Sequence, residues 1–436
     1  MVSLRNGAGR APHELTPAQT ARGEGSGERP RGGREAGLAL LAGIRPDRYA
    51  RSRNFLDGEV TRLSPYIRHG VLGLAEVRDA AVAAFGRSAT YKFVFELAWR
   101  DYYVRIHALA GDAVWNDLEP YKTGENAASY AREMPADIAG AATGAACIDG
   151  FVRELVETGY LHNHARMWFA SYLVHWRRVR WQAGAAFFLR FLLDGDAASN
   201  NLSWQWVAST FAHKPYVFNR ENLERYTRGA YCAVCPLAQR GCPFESSYGQ
   251  LSARLFPNGT RAKESATSYD LRVPADPDSD ARTSVPERVV VWQHDESLSS
   301  ADAARTVAPK APAIYVWDEE ARRRDPWSAE RAAFVNESLA ELGLARTAHG
   351  DAALEIAAFA RERDAETIVA VAPVEPRLRA IARDLAERFE LVLLDPPAFA
   401  RLDRPVDLRR FSRYWNRAQH TAFGAAARLD LGIETT

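Results

Sequence analysis

Residues Asp194 to Trp206 read DGDAASNNLSWQW, so two aspartates, two asparagines and two tryptophans share one short window. With ASNNLSWQWVAS taken as a helix, Asn200 and Trp204 lie four apart on one face and Trp206 points elsewhere. An amide and an indole on one buried face suit a flat, heteroatom-rich aromatic ligand. They suit equally a core tryptophan beside a capping asparagine. In GYLHNHARMWFASYLVHW, Asn163, Arg166 and Met167 stand at i, i+3 and i+4 of a second helix face. An arginine on the inner side of so apolar a helix needs a carboxylate, and Asp194 and Asp196 are the candidates. In TRLSPYIRHG, Ser64 and Pro65 read as a helix N-cap and a first-turn proline, with Thr61 and Arg62 just before them. That arrangement is an anion site or an ordinary capped helix. In FELAWRDYY, Glu96 and Arg100 are spaced for an i, i+4 brace, and Trp99 and Tyr103 repeat the spacing. The chain has four cysteines, Cys147 and the clustered Cys232, Cys235 and Cys242. A C-x2-C pair with two further thiols, none spare, fits zinc or an iron–sulfur cluster.

The elements that must position these residues follow from the apolar pattern. Residues 1–36 are rich in Gly, Arg, Glu and Pro and are expected to be a disordered tail. From 37 to 256 the stretches KFVFELAWRDYYVRI, GFVRELV, HARMWFASYLVHW and AAFFLRFLL show helical spacing, with no clear strand. Residues 257–286 are polar with several prolines and read as a linker. Over 287–436 the β-rich runs RVVVWQH, AIYVWDE, TIVAVAPV and ELVLLDPP alternate with helical stretches. That alternation predicts a parallel sheet with flanking helices. No G-x-G-x-x-G follows the first strand, so a dinucleotide fingerprint is missing. The fold class is therefore multidomain: an all-helical domain followed by a Rossmann-like α/β domain. At 436 residues both halves are long enough for real cores. Net charge is +1, so global basicity does not announce nucleic acid, although a local patch still can. The chain has no apolar run of membrane-spanning length and no signal-peptide core, and its few cysteines are not a secreted framework. A cytoplasmic protein without a membrane partner, monomeric, is expected.

GYLHNHARM, WQAGAAFFLRFLLDGDAASNNLSWQW, TRLSPYIRHG and FELAWRDYY, in that relation, resemble the flavin domain of the photolyase and cryptochrome family, over about Tyr49 to Tyr226. The resemblance implies folded FAD, with Tyr49 at the start of its site and Thr61, Arg62, Leu63 and Ser64 at its phosphates. It places Asn163, Arg166, Asp194 and Asp196 around the ring and ribityl chain, with Arg166 and Asp194 as an ion pair. Asn200 matches the residue facing flavin N5. Glu96, Trp99, Arg100, Asn163 and Met167 fall at the lesion-contacting wall. Trp204 and Trp181 match the first two tryptophans of the family's photoreduction chain. The usual third one is missing from ENAASYAREMPADIAGAATG, so the chain must end elsewhere. HWRRVRW (175–181), Arg51, Arg53 and Lys214 are the candidates for gripping DNA phosphates beside a flipped-out dinucleotide.

The cysteine pattern resembles the iron–sulfur bacterial branch of the same family, which implies a [4Fe–4S] cluster on Cys147, Cys232, Cys235 and Cys242. The Cys235 to Cys242 spacing is shorter than that branch leads one to expect. VVVWQHDESLSSADA, AIYVWDEE, SAERAAFVNESLAELG and DLRRFSRYWNRA resemble the family's antenna-binding domain, which normally comes first; here the order looks circularly permuted. Gln293-His294 replaces the usual arginine-aspartate pair, so whether an antenna chromophore binds is left open. The implied activity is light-driven repair of cyclobutane pyrimidine dimers in UV-damaged DNA, by electron transfer from reduced FAD. A blue-light photosensor without repair is the alternative, and a non-photochemical iron–sulfur flavoprotein a third. Family enzymes that repair the 6–4 photoproduct carry histidine where this chain has Asn163, which implies the dimer as substrate.

Overall fold

The structure, a computed structural model, describes residues 29–259, 269–277 and 287–424. The elements used below are α1 (Arg34–Ala42), α2 (Ser64–Arg68), α3 (Leu74–Ala110), α4 (Ala146–Thr158), α5 (Asn163–Ser171), α6 (Trp181–Phe191), α7 (Ala197–Ala208) and α8 (Arg220–Thr227) in the helical half. Beyond them come β1 (Val289–Gln293), β2 (Ala313–Asp318), α9 (Ala329–Ala340), β3 (Arg346–Gly350), β4 (Thr367–Val371), β5 (Glu390–Leu394) and α10 (Phe411–Ala418).

Apolar spacing builds the helical core. Ile148, Phe151, Val152 and Leu155 of α4 form one buried stripe, and Gly159 in the left-handed region stops the helix. That stripe meets Trp168 and Phe169 of α5, Trp181 and Phe188 of α6 and Trp204 of α7. Each such ring or branched side chain, fully buried, contributes on the order of 1.5–3 kcal/mol. Gly184 lets α7 approach: a Cβ there would stand 2.2 Å from the Trp204 ring. The long α3 is broken at Gly86, where φ is +75°.

In the second half the sheet runs β3-β2-β1-β4-β5, all parallel. The central strand β1 is buried along its whole length, as a sheet covered on both faces requires. The edge strand β3, RTAHG, alternates between half-buried and exposed. Its polar composition kept it from being read as a strand.

Several boundaries differ from expectation. Of the tail expected over 1–36, residues 1–28 lie outside the described residues, but 29–36 are placed. Arg29 pairs with Glu337 on α9, and the Gly33 amide donates to the Ser338 hydroxyl at 3.0 Å. α1 already begins at Arg34, whose guanidinium bridges to Glu76. Low apolar content does not prevent order where carboxylates on a neighbouring helix supply partners. The linker is partly docked as well. Arg272–Val273 pairs antiparallel with Val406–Asp407, and Asp276 accepts from Arg105 at 2.8 and 3.0 Å. After β5 the chain returns to the helical half. α10 lays Phe411, Tyr414 and Trp415 against α3, and Tyr102 donates to the Leu408 carbonyl at 2.6 Å. No helix of the described residues is long and apolar enough to cross a membrane.

Candidate active site

The DGD turn between α6 and α7 carries two buried acids. Arg68 donates to the Gly195 carbonyl at 3.0 Å, and Arg331, from α9 of the second half, donates to the same carbonyl at 2.6 Å. The α/β half therefore fixes the loop that aims the acids. Asp194 meets Arg166 at 3.0 Å, as the sequence suggested, and Ser64 hydrogen-bonds the same carboxylate. Burial pushes the Asp194 carboxyl up; Arg166 and Ser64 then pull it below the ordinary range, so it stays ionised. Arg166 also donates through Nε to the Leu161 carbonyl at 2.8 Å, which sets its plane.

Asp196 caps α7, accepting from the Ser199 amide at 2.8 Å and its hydroxyl at 2.6 Å. It also pairs with Arg100 at 3.0 Å. Glu96 and Arg100 do not brace one another as their spacing suggested. Arg100 turns inward because the buried Asp196 needs a cation. Glu96 pairs instead with Lys92 at 2.6 Å and Arg53 at 3.3 Å. Ser64 is not an N-cap either: α2 is one short turn that starts at Ser64, with no side-chain cap, and the hydroxyl serves Asp194. Arg62 takes a left-handed φ of +51° and lays its guanidinium 5.2 Å from the Tyr160 ring centroid.

Asn200 is buried on α7, donating to the Ala185 carbonyl at 3.0 Å and to Asn201 at 3.1 Å. Trp204 is buried beneath it and Trp206 is 37% exposed, so the two indoles take the opposite sides expected. Asn163 is exposed at the rim and donates to the Met167 sulfur at 3.6 Å. Trp99 is half-buried, and one face of its ring is covered by Phe411 of α10, stacked at 3.8 Å and 8°. Tyr49 is half-buried, edge-on to Phe93. The group thus has a buried acidic floor and a half-open rim of Tyr49, Arg53, Glu96, Trp99, Asn163 and Met167.

The fit to a polar cofactor rests on His162. It is 5% exposed, its Nδ1 accepts from the His164 amide, and its Nε2 is buried with no partner. It lies within the field of Arg62 and Arg166. A buried nitrogen left unpaired in the field of two arginines is what a site built around a polar ligand shows.

The basic stretch 175–181 runs from the end of a π-helical turn, Tyr172–Trp176, through an irregular link into α6. Arg177 pairs with Asp137 at 2.7 Å, and Arg178 donates to the Leu255 carbonyl at 2.6 Å. The chain must reverse here, and two of its three arginines hold the reversal. Arg51 pairs with Asp47, whereas Lys214 is exposed.

All four cysteines are unbridged and line one pocket with Tyr231, Leu223 and Phe244. Gly150, one turn from Cys147, lets Tyr231 lie against α4, since a Cβ there would stand 2.5 Å from that ring. Burial, then the neighbouring Cys232 and Cys235 thiols, push Cys147 well above the ordinary thiol range. Among the described residues no group of three or more His, Cys, Asp or Glu is placed to hold a single metal ion.

A cavity of about 2460 Å³ lies between the two halves, reaching Arg100 and Asp196 from behind and Arg322, Trp327 and Arg377 on the sheet side. Gln293 and His294 do not face it freely: Gln293 donates to Asp302 at 2.9 Å, and His294 is buried against the Val371 carbonyl.

The chain is similar to known proteins over part of its length. Residues 93–228 match the family model described as the FAD binding domain of DNA photolyase. Glu96, Asn163, Arg166, Asp194, Asp196, Asn200 and Trp204 fall inside that range, while Tyr49, Thr61 to Ser64 and the cysteines from 232 on fall outside. A deoxyribodipyrimidine photo-lyase of Streptomyces griseus is 40% identical over 185 residues, 41% of this chain and 40% of that protein. The one of Halobacterium salinarum is 33% identical over 208 residues, 44% of this chain and 42% of that protein. The match thus spans less than half the length of these curated relatives. A solved structure of an archaeal photolyase from Sulfolobus tokodaii is 29% identical, covering 48% of each chain with a TM-score of 0.40. Over residues 93–228 the chain is thus similar to the FAD binding domain of DNA photolyase.

Proposed function

We propose that this protein binds FAD over the Asp194–Arg166 pair and uses it for light-driven repair of cyclobutane pyrimidine dimers in DNA. The observation that carries the reading is the buried Asp194 carboxylate paired with Arg166, together with the unpartnered Nε2 of the buried His162, inside a FAD-binding domain match. Thr61, Arg62, Leu63 and Ser64 serve the phosphates. Asn163, Arg166, Asp194, Asp196 and Asn200 surround the ring and its ribityl chain. The bound flavin, when reduced and excited, supplies one electron that the split dimer returns. The chain's own part is to hold the lesion and keep its charge steady. Glu96 hydrogen-bonds the bases, Trp99, Asn163 and Met167 pack on them, and Arg51, Arg53 and Lys214 meet phosphates at the rim. Arg100, tied to Asp196, steadies α7 from below.

The dimer is favoured over the 6–4 photoproduct because the rim lacks a titratable proton donor at neutral pH. Burial pushes His162 down to about 3 and His164 to about 4, so both imidazoles are neutral. Asn163 and Met167 have no such proton. A second reading, a blue-light photosensor, is favoured by one observation: Phe411 covers a face of Trp99 on the lesion wall. Illuminating Glu96→Ala and the parent with both lesions decides between them. Dimer repair slowed by the substitution, with 6–4 DNA untouched, supports the repair reading. Efficient 6–4 repair without dimer repair overturns it.

We further propose a [4Fe–4S] cluster on Cys147, Cys232, Cys235 and Cys242. In its support, all four thiols of the chain line one pocket. The α/β half following the helical half supports a permuted domain order, with Arg331 keeping the interface on the DGD turn.

A further inference from the structure

The stretch Leu408 to His420 holds four arginines and no acid. It folds around α10, whose stripe Phe411, Tyr414, Trp415 and Ala418 is buried. Arg410 turns inward and pairs with the buried Glu119 at 2.5 Å. Arg413 and Arg417 lie four apart on the side opposite the buried stripe, with Ser412 and Asn416 exposed beside them. Arg409, just before the helix, adds a third guanidinium. Asp407 is the acid at the base of this face, and it is shared: Arg409, at 2.5 Å, and Arg413 both pair with it. One carboxylate between two guanidiniums leaves the face net positive. On α9, by contrast, Glu330, Arg331 and Glu337 mix both signs, as an ordinary solvated helix does. The α10 face also borders the rim of the candidate site. Phe411 stacks on Trp99, Trp415 donates to the Tyr91 hydroxyl at 3.3 Å, and Phe95 meets both rings edge-on. Its axis therefore runs about 10 Å from that of α3, whose Lys92, Glu96 and Trp99 stand at the rim.

We propose that the outer face of α10 is a docking surface for the backbone of duplex DNA, on which Arg413 and Arg417, with Ser412 and Asn416, meet phosphates flanking the candidate site. The inference rests on the DNA-binding part of the reading above. Arginine, serine and asparagine are the side chains that donate to phosphate oxygens, and such contacts fix position without reading sequence. The face presents no apolar side chain that a protein partner could bury; what it offers is charge and hydrogen-bond donors. Asp407 holds two guanidiniums together against their repulsion. A guanidinium has five N–H donors, so each keeps some for a phosphate. The rim needs such help, because its own cations are already answered. Arg53 and Lys92 share Glu96, and Arg51 pairs with Asp47. Since α10 follows the last strand of the sheet, this surface lets the second half of the chain grip the same duplex as the first.

The test is fluorescence anisotropy of an undamaged, dye-labelled duplex with the full chain over a salt series. The parent is compared with the double variant Arg413→Gln, Arg417→Gln. Two lost phosphate contacts should flatten the slope of log affinity against log salt by about 2, and weaken binding on the order of ten-fold or more at ~0.1 M salt. Arg413→Lys with Arg417→Lys keeps the charge and should keep most of the slope. Arg346→Gln with Arg388→Gln removes the same charge from the sheet half, where each arginine pairs with a carboxylate, and should bind as the parent does. Asn416→Asp adds an acid to the outer face without breaking an ion pair. It should weaken binding several-fold, and it decides the matter if the glutamine variant fails to fold. Parent affinity and slope in folded Arg413→Gln, Arg417→Gln, or unchanged binding by Asn416→Asp, would overturn the surface. So would an equal loss in Arg346→Gln, Arg388→Gln, which would mark an effect of net charge alone. Salt-dependent binding through α10 without photorepair would leave the surface standing and remove the repair reading. A parent that binds no duplex would remove both.

Discussion

Neutralising Asp196 by Asp196→Asn separates its charge from its shape. The carboxylate is buried, side-chain exposure 10%, with Arg100 at 3.0 Å and two donors from Ser199. Burial pushes its carboxyl up; Arg100, then Arg68 and the Ser199 hydrogen bonds, more than reverse this, to about 2 from an ordinary 3.8. Each pH unit between folded and unfolded values is worth about 1.4 kcal/mol, so the ionised form contributes about 2 kcal/mol to stability. The folded value lies below the unfolded one. The contribution is therefore complete above about pH 4 and is lost as pH falls through about 2. Asp196→Asn should lower stability in urea by about 2 kcal/mol at pH 7, and more to the extent that Arg100 is stranded. The gap between variant and parent should close between pH 4 and 2. Adding Arg100→Gln should cost less than the two single losses summed, since the pair acts as a unit. A loss that stays the same at pH 7 and pH 3, or strict additivity with Arg100→Gln, would refute the electrostatic account of this pair.

Other consequences follow from the packing. Gly184→Ala places a methyl 2.2 Å from the Trp204 ring. It should cost roughly 1–3 kcal/mol by overpacking and slow flavin photoreduction, read by thermal melting and absorbance. Arg331→Leu removes the donors to the Leu189 and Gly195 carbonyls. A loss of roughly 1–3 kcal/mol and faster flavin release on gel filtration are expected, because the DGD turn loses its grip from the second half. Cys147→Ser should strip iron from anaerobically purified protein while flavin content holds; zinc without iron in the parent would sink the cluster.

The helix faces that carry the candidate residues were legible because periodicity marks them. Asp194 to Trp206 and Asn163 to Met167 form helix faces whose members can be counted off, and a buried arginine demands an acid. The partner choices were less legible. Spacing joined Glu96 to Arg100, but burial of Asp196 took the arginine away. Ser64 looked like a cap, yet the nearest strong acceptor is a carboxylate from a distant turn, that of Asp194. The basic stretch 175–181 suggested a grip on phosphates, but two of its three arginines hold a reversal. β3 was invisible because an edge strand need not be apolar. The stripe Phe411, Tyr414, Trp415 is plain in the sequence, but nothing local says that its partner is α3 across the chain.

The most direct measurement is repair itself. Purified, flavin-loaded protein, chemically reduced, is mixed with an oligonucleotide holding one cyclobutane thymine dimer, and the products are separated by chromatography after blue light or darkness. Repair predicts restored thymines in light and an intact dimer in the dark. An intact dimer in both, with reduced flavin demonstrably bound, would contradict repair and favour a photosensor instead.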